Sequence, residues 1–180
     1  MSPVDIDPRV AEMWKTHETI TLFEDGLYRH YRVNLPENHS WVEIITWPGH
    51  LTITGDLSDS YVFAREPDML RDFFHAAMFV DIRYWASKLT NPHWYESTHK
   101  WDDEKFMEDV RELRADGVID DEAVEDAEWV EDRDAARQWQ EDHDEDGDWG
   151  HTLGMTWTRD FVRACHLIAL FAAEYRENHK

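Results

Sequence analysis

Between Thr19 and Arg65 the chain offers five short runs of apolar and β-branched residues, each closed by a tight-turn signal, and few folds accept that pattern. Ile20-Thr21-Leu22-Phe23 leads into Asp25-Gly26, a two-residue hairpin signal. The chain leaves through Leu27 to Val33, where Leu27, Arg29, Tyr31 and Val33 share one face and Tyr28, His30 and Arg32 the other. After the turn Pro36-Glu37-Asn38, Trp41 to Trp47 reads as a third strand, ended by Pro48-Gly49. His50 to Asp56 alternates with Leu51 and Ile53 inward, and Tyr61 to Ala64 follows a Ser/Asp-rich turn. Short strands with short connections predict an antiparallel meander.

Helical spacing dominates elsewhere. Residues 8–17 read as a short helix with Asp7 as N-cap, Pro8 in the first turn, and Val10, Met13 and Trp14 on one face. Pro67-Asp68 opens a second helix carrying Met69, Leu70, Phe73 and Phe74. Asp81 to Leu89 is a third, with Ile82, Trp85, Ala86 and Leu89 as its stripe. Asp102 caps a helix with Phe106, Val110 and Leu113 inward, stopped by Gly117. Glu122 to Gln140 is weakly periodic, and Asp142 to Gly150 is loop. Thr158 to Tyr175 carries the clearest stripe: Phe161, Cys165, Ile168, Phe171, Ala172 and Tyr175. The predicted class is α+β: a meander of about five strands, helices packed on one face, and an acidic, partly helical insertion. One domain is expected overall, with a body over 1–100, the insertion over 101–150, and a C-terminal helix over 151–180 returning to the body.

The insertion is where the charge lies. The 180 residues hold 40 Asp and Glu against 18 Lys and Arg, a net of −22. Residues 102–148 hold 22 acids and 5 bases, leaving 18 acids and 13 bases elsewhere. A salt-adapted surface would be acidic throughout, so localisation argues against one. The overall sign disfavours direct binding to nucleic acid or to anionic lipid. No apolar run approaches the roughly 18 residues of a membrane helix, and Met1-Ser2-Pro3-Val4-Asp5 lacks the basic-then-apolar order of a signal peptide. The single cysteine, Cys165, suits a reducing cytoplasm and belongs with the apolar stripe of its helix. Aromatics at 13%, with 10 Trp, supply material for a packed core that a disordered acidic chain lacks.

Two readings of the acidic segment stay open. It is either a solvated, weakly packed insertion, loosened by self-repulsion, or a binding surface. For the second, Asp102 to Glu128 carries 13 acids and 3 bases. If mostly helical, these residues span about 40 Å, one net charge per roughly 4 Å, near the spacing along a single DNA strand. The candidate surface comprises Asp102, Asp103, Glu108, Asp109, Glu112, Asp120, Asp121, Glu125, Asp126 and Glu128, with Trp129 and Trp139 supplying ring area.

Other motifs are sparser. Asp142, Asp144 and Asp146, followed by Gly147, match the front half of a calcium loop, but Leu153 stands where a bidentate acid is required. Ca2+ there is the one metal reading, and no cofactor is expected otherwise. The eleven histidines show no metal-ligand spacing. His50, Thr52, Thr54 and Asp56 fall on one face of a strand and form a ligand candidate or an ordinary exposed face. An anionic ligand would be repelled unless Arg29, Arg32 or Arg65 gathered locally. No phosphate-binding glycine loop or nucleophile elbow is present, so binding is preferred to catalysis.

Trp47-Pro48-Gly49-His50-Leu51-Thr52-Ile53-Thr54-Gly55-Asp56, then Tyr61-Val62-Phe63-Ala64-Arg65 and Asp68-Met69-Leu70-Arg71-Asp72-Phe73-Phe74, resemble a family of small uncharacterised proteins of tailed bacteriophages and prophages. Tyr84 to Leu89 and the aromatic helix from Trp157 are similar too, and the acidic segment is the main departure. The resemblance implies a phage-type accessory protein acting inside a bacterium and brings no catalytic residue with it. Three functions follow as expectations. The first is inhibition of a host protein with a basic nucleic-acid-binding surface, by mimicry, in an anti-CRISPR or other anti-defence or host-takeover role. The others are sequestration of a small ligand or nucleotide signal, and a phage structural or assembly role.

Overall fold

A computed structural model describes residues 6–74, 80–91, 94–144, 147, 149 and 153–179. The chain divides into two compact units, Met1–Thr98 with Arg159–Lys180, and His99–Thr158.

The first unit, the sheet body, is the predicted meander. Strands β1 (Glu18–Asp25), β2 (Tyr28–Leu35), β3 (Ser40–Trp47), β4 (His50–Gly55) and β5 (Tyr61–Ala64) pair antiparallel in sequence order. The β1–β2 and β3–β4 turns place Gly26 and Gly49 at φ of 61° and 83°, a region that glycine enters without a Cβ penalty. Alternation decides the faces. Tyr31, Val33, Leu35, Val42, Ile44, Leu51, Ile53, Tyr61 and Phe63 are all buried on one side.

Helix α7 (Arg159–Asn178) covers that side, with Phe161 5.0 Å from Tyr61 and Phe171 5.0 Å from Tyr31 between ring centroids. Its buried set is wider than one stripe, taking in His166, Leu167 and Ala169. The reason is that α1 (Pro8–Trp14), α2 (Ile82–Ala86), α3 (Trp94–Thr98) and a turn of π-helix at Met69–Phe73 also pack against it. Asp7 caps α1 through a 2.7 Å bond from the Arg9 N–H. The edge strand β1 is exposed along its length; a bulge at Leu22 and the acids Glu18, Glu24 and Asp25 make it a poor template for further strand pairing.

Three local predictions are corrected by packing. The helix expected from Asp68 is one π-turn, Met69–Phe73, within the described residues, with Asp68 both its cap and half of a buried ion pair. It caps Leu70 and Arg71 and takes both Nη groups of Arg29, at 2.9 and 2.8 Å, in a buried pair. The helix expected to reach Leu89 stops at Ala86, since Leu89 forms a bridge with Phe63 and Ala64 donates to the Lys88 carbonyl. Helix α3 lies between Leu89 and Asp102, where the sequence names no element; five residues are too few for a periodicity to register.

The second unit is acidic throughout and nonetheless packed. A two-stranded ribbon, β6 (His99–Trp101) with β7 (Met155–Trp157), accompanies helices α4 (Asp103–Ala115), α5 (Asp121–Ala127) and α6 (Arg133–His143). The core is Phe106, Val110, Ile119, Ala123, Ala127, Ala136 and Trp139, flanked by Trp101, Met107, Leu113 and Trp149. The stretch Glu122 to Gln140 is therefore two helices rather than one. Its weak periodicity reflects a corner at Glu128–Asp132, where Asp132 caps a new helix through the Ala135 N–H at 2.8 Å. At Gly154, φ is 67° and a Cβ would lie 2.7 Å from that of Phe106 and crowd the Trp101 ring, so only glycine fits. Its N–H donates to Asp109 Oδ2 at 2.8 Å, tying β7 to α4.

Candidate functional site

The acids of the second unit serve in two ways once their hydrogen bonds are traced, Asp103 and Asp121 in both. Asp102, Asp120 and Asp132 are N-caps, accepting from Lys105, Ala123 and Ala135. Each such cap stabilises its helix by about 1 kcal/mol. Asp103, Glu104, Asp121, Glu122 and Asp134 occupy first turns, where the helix dipole favours negative charge. Asp109 is mostly buried between the Gly154 N–H and Lys105. Part of the acidity is thus a folding device for short helices.

In their second role the acids face solvent. Glu108 and Asp121 are balanced, by Lys105 at 3.2 Å and Arg114 at 2.6 Å, and His143 lies 3.9 Å from Asp126. The Arg114 hydrogen bond and charge hold the Asp121 carboxyl below its ordinary range. Asp103, Glu112, Glu125 and Glu128 are exposed and have no cation within 4 Å among the described residues.

Of these acids, Asp103 and Glu128 line a groove of about 590 Å³, together with Glu104, Met107, Arg111, Ala127 and Val130. Residues 103, 107 and 111 form one i, i+4 stripe of α4, so the groove runs between that stripe and the corner after α5. Trp129, between two lining residues, is 84% exposed. A ring so placed keeps most of its water, and a partner that covers it gains most of its area.

Two features of the predicted surface are corrected. Trp139 is a core residue, 5% exposed, with its Nε1–H donated to the Ala123 carbonyl at 3.1 Å, and offers no area to a partner. Nor do Asp102 to Glu128 form a 40 Å rod. Helix α4 runs about 20 Å and α5 about 10 Å at the usual rise, and the chain turns back at Gly117 (φ 74°) so that both share one core. Strand-like charge spacing is replaced by a compact cluster. The 60 residues of this unit hold 22 acids and 6 bases, a net of −16. Glu104, Met107, Arg111 and Val130 are groove residues that spacing alone does not single out.

The remaining candidates lie apart from this surface. His50, Thr52 and Thr54 do share a face of β4 opposite buried Leu51 and Ile53. They are locally engaged: His50 stacks on Trp47 and sits 3.1 Å from the Pro48 carbonyl, and Thr54 bonds Ser60 at 2.7 Å. Asp56 lies beyond the strand and accepts from the Trp41 N–H at 3.0 Å, closing the β3–β4 end. Asp142 is on α6 and accepts from Gln138; Asp144 ends that helix and accepts from the Trp149 N–H. Asp146 lies outside the described residues. No group of three potential metal ligands is found among the described residues. Arg29, Arg32 and Arg65 do not gather, being paired with Asp68, Glu43 and Glu66 respectively.

The sheet body also has a polar cleft of about 500 Å³ beside the C-terminal end of α7. Its histidines, Glu174 and Tyr175 are paired. His17 Nε2 is 2.7 Å from Glu174, and Glu24 takes both His179 and the Tyr175 hydroxyl at 3.3 Å. Burial, ahead of the charges around it, raises the Tyr175 phenol. No helix among the described residues is long and apolar enough to cross a membrane. No known protein family, curated protein or solved structure matches the chain.

Proposed function

We propose that the protein is a phage-type accessory factor of the bacterial cytoplasm. Its acidic unit binds and blocks a host protein through that protein's basic nucleic-acid-binding surface. One observation carries this reading. Asp103, Glu112, Glu125 and Glu128 stand exposed without a counter-charge among the described residues, on or at the end of helices whose own core keeps them in place. A cluster held by a core presents its charge without first paying an ordering entropy. Charge steers the encounter, while Trp129 and the Met107/Val130 groove supply apolar area where the partner seats. The mimicry is of negative potential over a compact surface, not of strand geometry. A CRISPR effector, nuclease, polymerase or repressor has the complementary groove.

The test is capture from nuclease-treated bacterial lysate with the full chain as bait, in parallel with a Glu112→Lys/Glu125→Lys/Glu128→Lys variant and with Trp129→Ala. All four positions are exposed and outside the N-caps and the core, and Glu128 closes α5 through its backbone N–H alone. The expected result is a nucleic-acid-binding protein that elutes with salt, is displaced by added DNA, and is lost with the triple charge reversal. Capture that survives charge reversal, or a bait that retains nothing at low salt, refutes the proposal.

A further inference from the structure

We propose that the sheet body carries an anion site at the amino-terminal end of α7, built to hold the phosphoryl group of a small organic phosphate. The site is a cleft of about 370 Å³ lined by Asp7, Arg9, Val10 and Met13 from α1 and its cap, and by Arg159, Asp160, Val162, Arg163 and His166 from α7. Its volume is in the range of small-ligand pockets.

Three arginines meet at this one cleft in a strongly acidic protein, and none of them has a carboxylate partner among the described residues. This contrasts with Arg29, Arg32, Arg65 and Arg71, each of which is within 4.0 Å of an acid. The two lining acids are already engaged by backbone, Asp7 by the Arg9 N–H at 2.7 Å and Asp160 by the Ser58 N–H at 3.0 Å. Arg163 is held in position: Nη2 donates to Ser40 Oγ at 2.9 Å and Nη1 to the Asp56 carbonyl at 3.4 Å, while its Nε is buried with no acceptor.

His166 adds a second unanswered donor. It is 1% exposed, and its Nδ1 accepts from the Asp7 N–H at 3.1 Å, so the neutral ring carries its proton on Nε2. That Nε2 is also buried with no partner among the described residues. Buried donors without acceptors are rare because each is destabilising. Two of them beside two guanidiniums with no carboxylate partner among the described residues mark a place where acceptor oxygens are missing. The start of a 20-residue helix adds the positive end of its dipole.

The chemistry favours phosphate over carboxylate. Three guanidiniums supply more charge and more donors than one carboxylate can use, whereas a phosphomonoester presents three terminal oxygens and close to two charges. Val10, Met13 and Val162 give an apolar wall for the organic part. Long-range repulsion from the acidic unit is screened beyond about 8 Å at physiological salt, and the sheet body itself carries 18 acids against 12 bases.

The experiment is a titration of the full ¹⁵N-labelled chain, at constant ionic strength set with chloride, against inorganic phosphate, adenosine 5′-monophosphate, and adenosine as the neutral control. Saturable amide shifts centred on residues 7–13 and 159–166, given by phosphate and the monophosphate but not adenosine, are the expected result. Tighter binding of the monophosphate than of phosphate identifies an organic phosphate as the occupant. Arg9→Gln/Arg159→Gln alters two exposed side chains and should weaken binding at least ~10-fold with an unchanged melting temperature. No saturable shift at millimolar phosphate and monophosphate, shifts centred elsewhere, equal response to adenosine, or unchanged binding by the double variant each overturns the proposal. The site lies wholly in the sheet body, so its failure is separable from failure of protein capture by the acidic unit.

Discussion

Replacing Trp139 by Ala tests whether the acidic unit is held by a core or merely decorated with apolar residues. Trp139 packs edge-on against Phe106 at 5.4 Å and lies 5.8 Å from Trp149, stacks with His143 at 4.7 Å, and donates to the Ala123 carbonyl across the helix pair. Truncating a buried Trp costs about 3–5 kcal/mol, and the carbonyl of Ala123 loses its side-chain donor as well. A unit of 60 residues has a total stability of only about 3–9 kcal/mol at typical values per residue. The substitution therefore removes a third or more of what is present. Hydrogen exchange followed by mass spectrometry reads this directly. Amides of α4–α6 should exchange roughly 140- to 3,700-fold faster, the free-energy loss converted at 1.4 kcal/mol per decade. Those of β2–β5 should be unchanged, because their core is a different set of residues. Trp129→Ala is the internal control. At 84% exposure it should shift stability by no more than about 0.5 kcal/mol. Parental protection of α4–α6 in Trp139→Ala, or an equal effect from Trp129→Ala, would show that the acidic unit does not depend on this core.

Three further outcomes follow from single contacts. Asp68→Asn leaves Arg29 buried without its counter-charge and should destabilise the sheet body by about 3–5 kcal/mol in urea unfolding; a loss below 1 kcal/mol, a small-effect threshold, contradicts a structural role for the pair. Burial alone would raise the Asp68 carboxyl, but the Arg29 bonds and charge and two backbone N–H groups outweigh it and hold it below its ordinary value. Its contribution is therefore complete above about pH 4 and lost as pH falls through the lowered value; acid titration of Asp68→Asn should show a correspondingly shallower fall. Gly154→Ala forces a positive φ and a clash with Phe106 and Trp101, so its near-ultraviolet circular dichroism should weaken at temperatures where the parent is intact. Cys165 is fully buried and burial pushes its thiol well up, so it should resist a thiol reagent in the native protein and react at once in denaturant.

Much of the architecture is legible in the chain because it rests on local rules. Alternation over two residues assigns the faces of β2 and β4, and Asp25-Gly26 marks the first hairpin. Asp7 and Asp102 announce the starts of α1 and α4, and the 3.6-residue stripe from Phe161 to Tyr175 marks α7. The charge map likewise locates the acidic unit. Local rules fail where a residue's fate depends on a distant one. Leu89 leaves its helical stripe because Phe63 offers it a bridge, and Trp129 and Trp139 look alike in sequence until a corner at Glu128–Asp132 exposes one and buries the other.

The candidate sites show the same division. Which carboxylates cap helices and which stand free for a partner follows from the fold-back of α4 and α5, not from their density along the chain. The arginine cleft escapes sequence inspection altogether. Arg9 and Arg163 are far apart in the chain, and Arg163 is oriented by Ser40, 123 residues away. Capping and periodicity act within about four residues, so a single sequence displays them. Convergence of charge and burial of a donor are properties of three-dimensional packing, and only the folded chain brings those groups together.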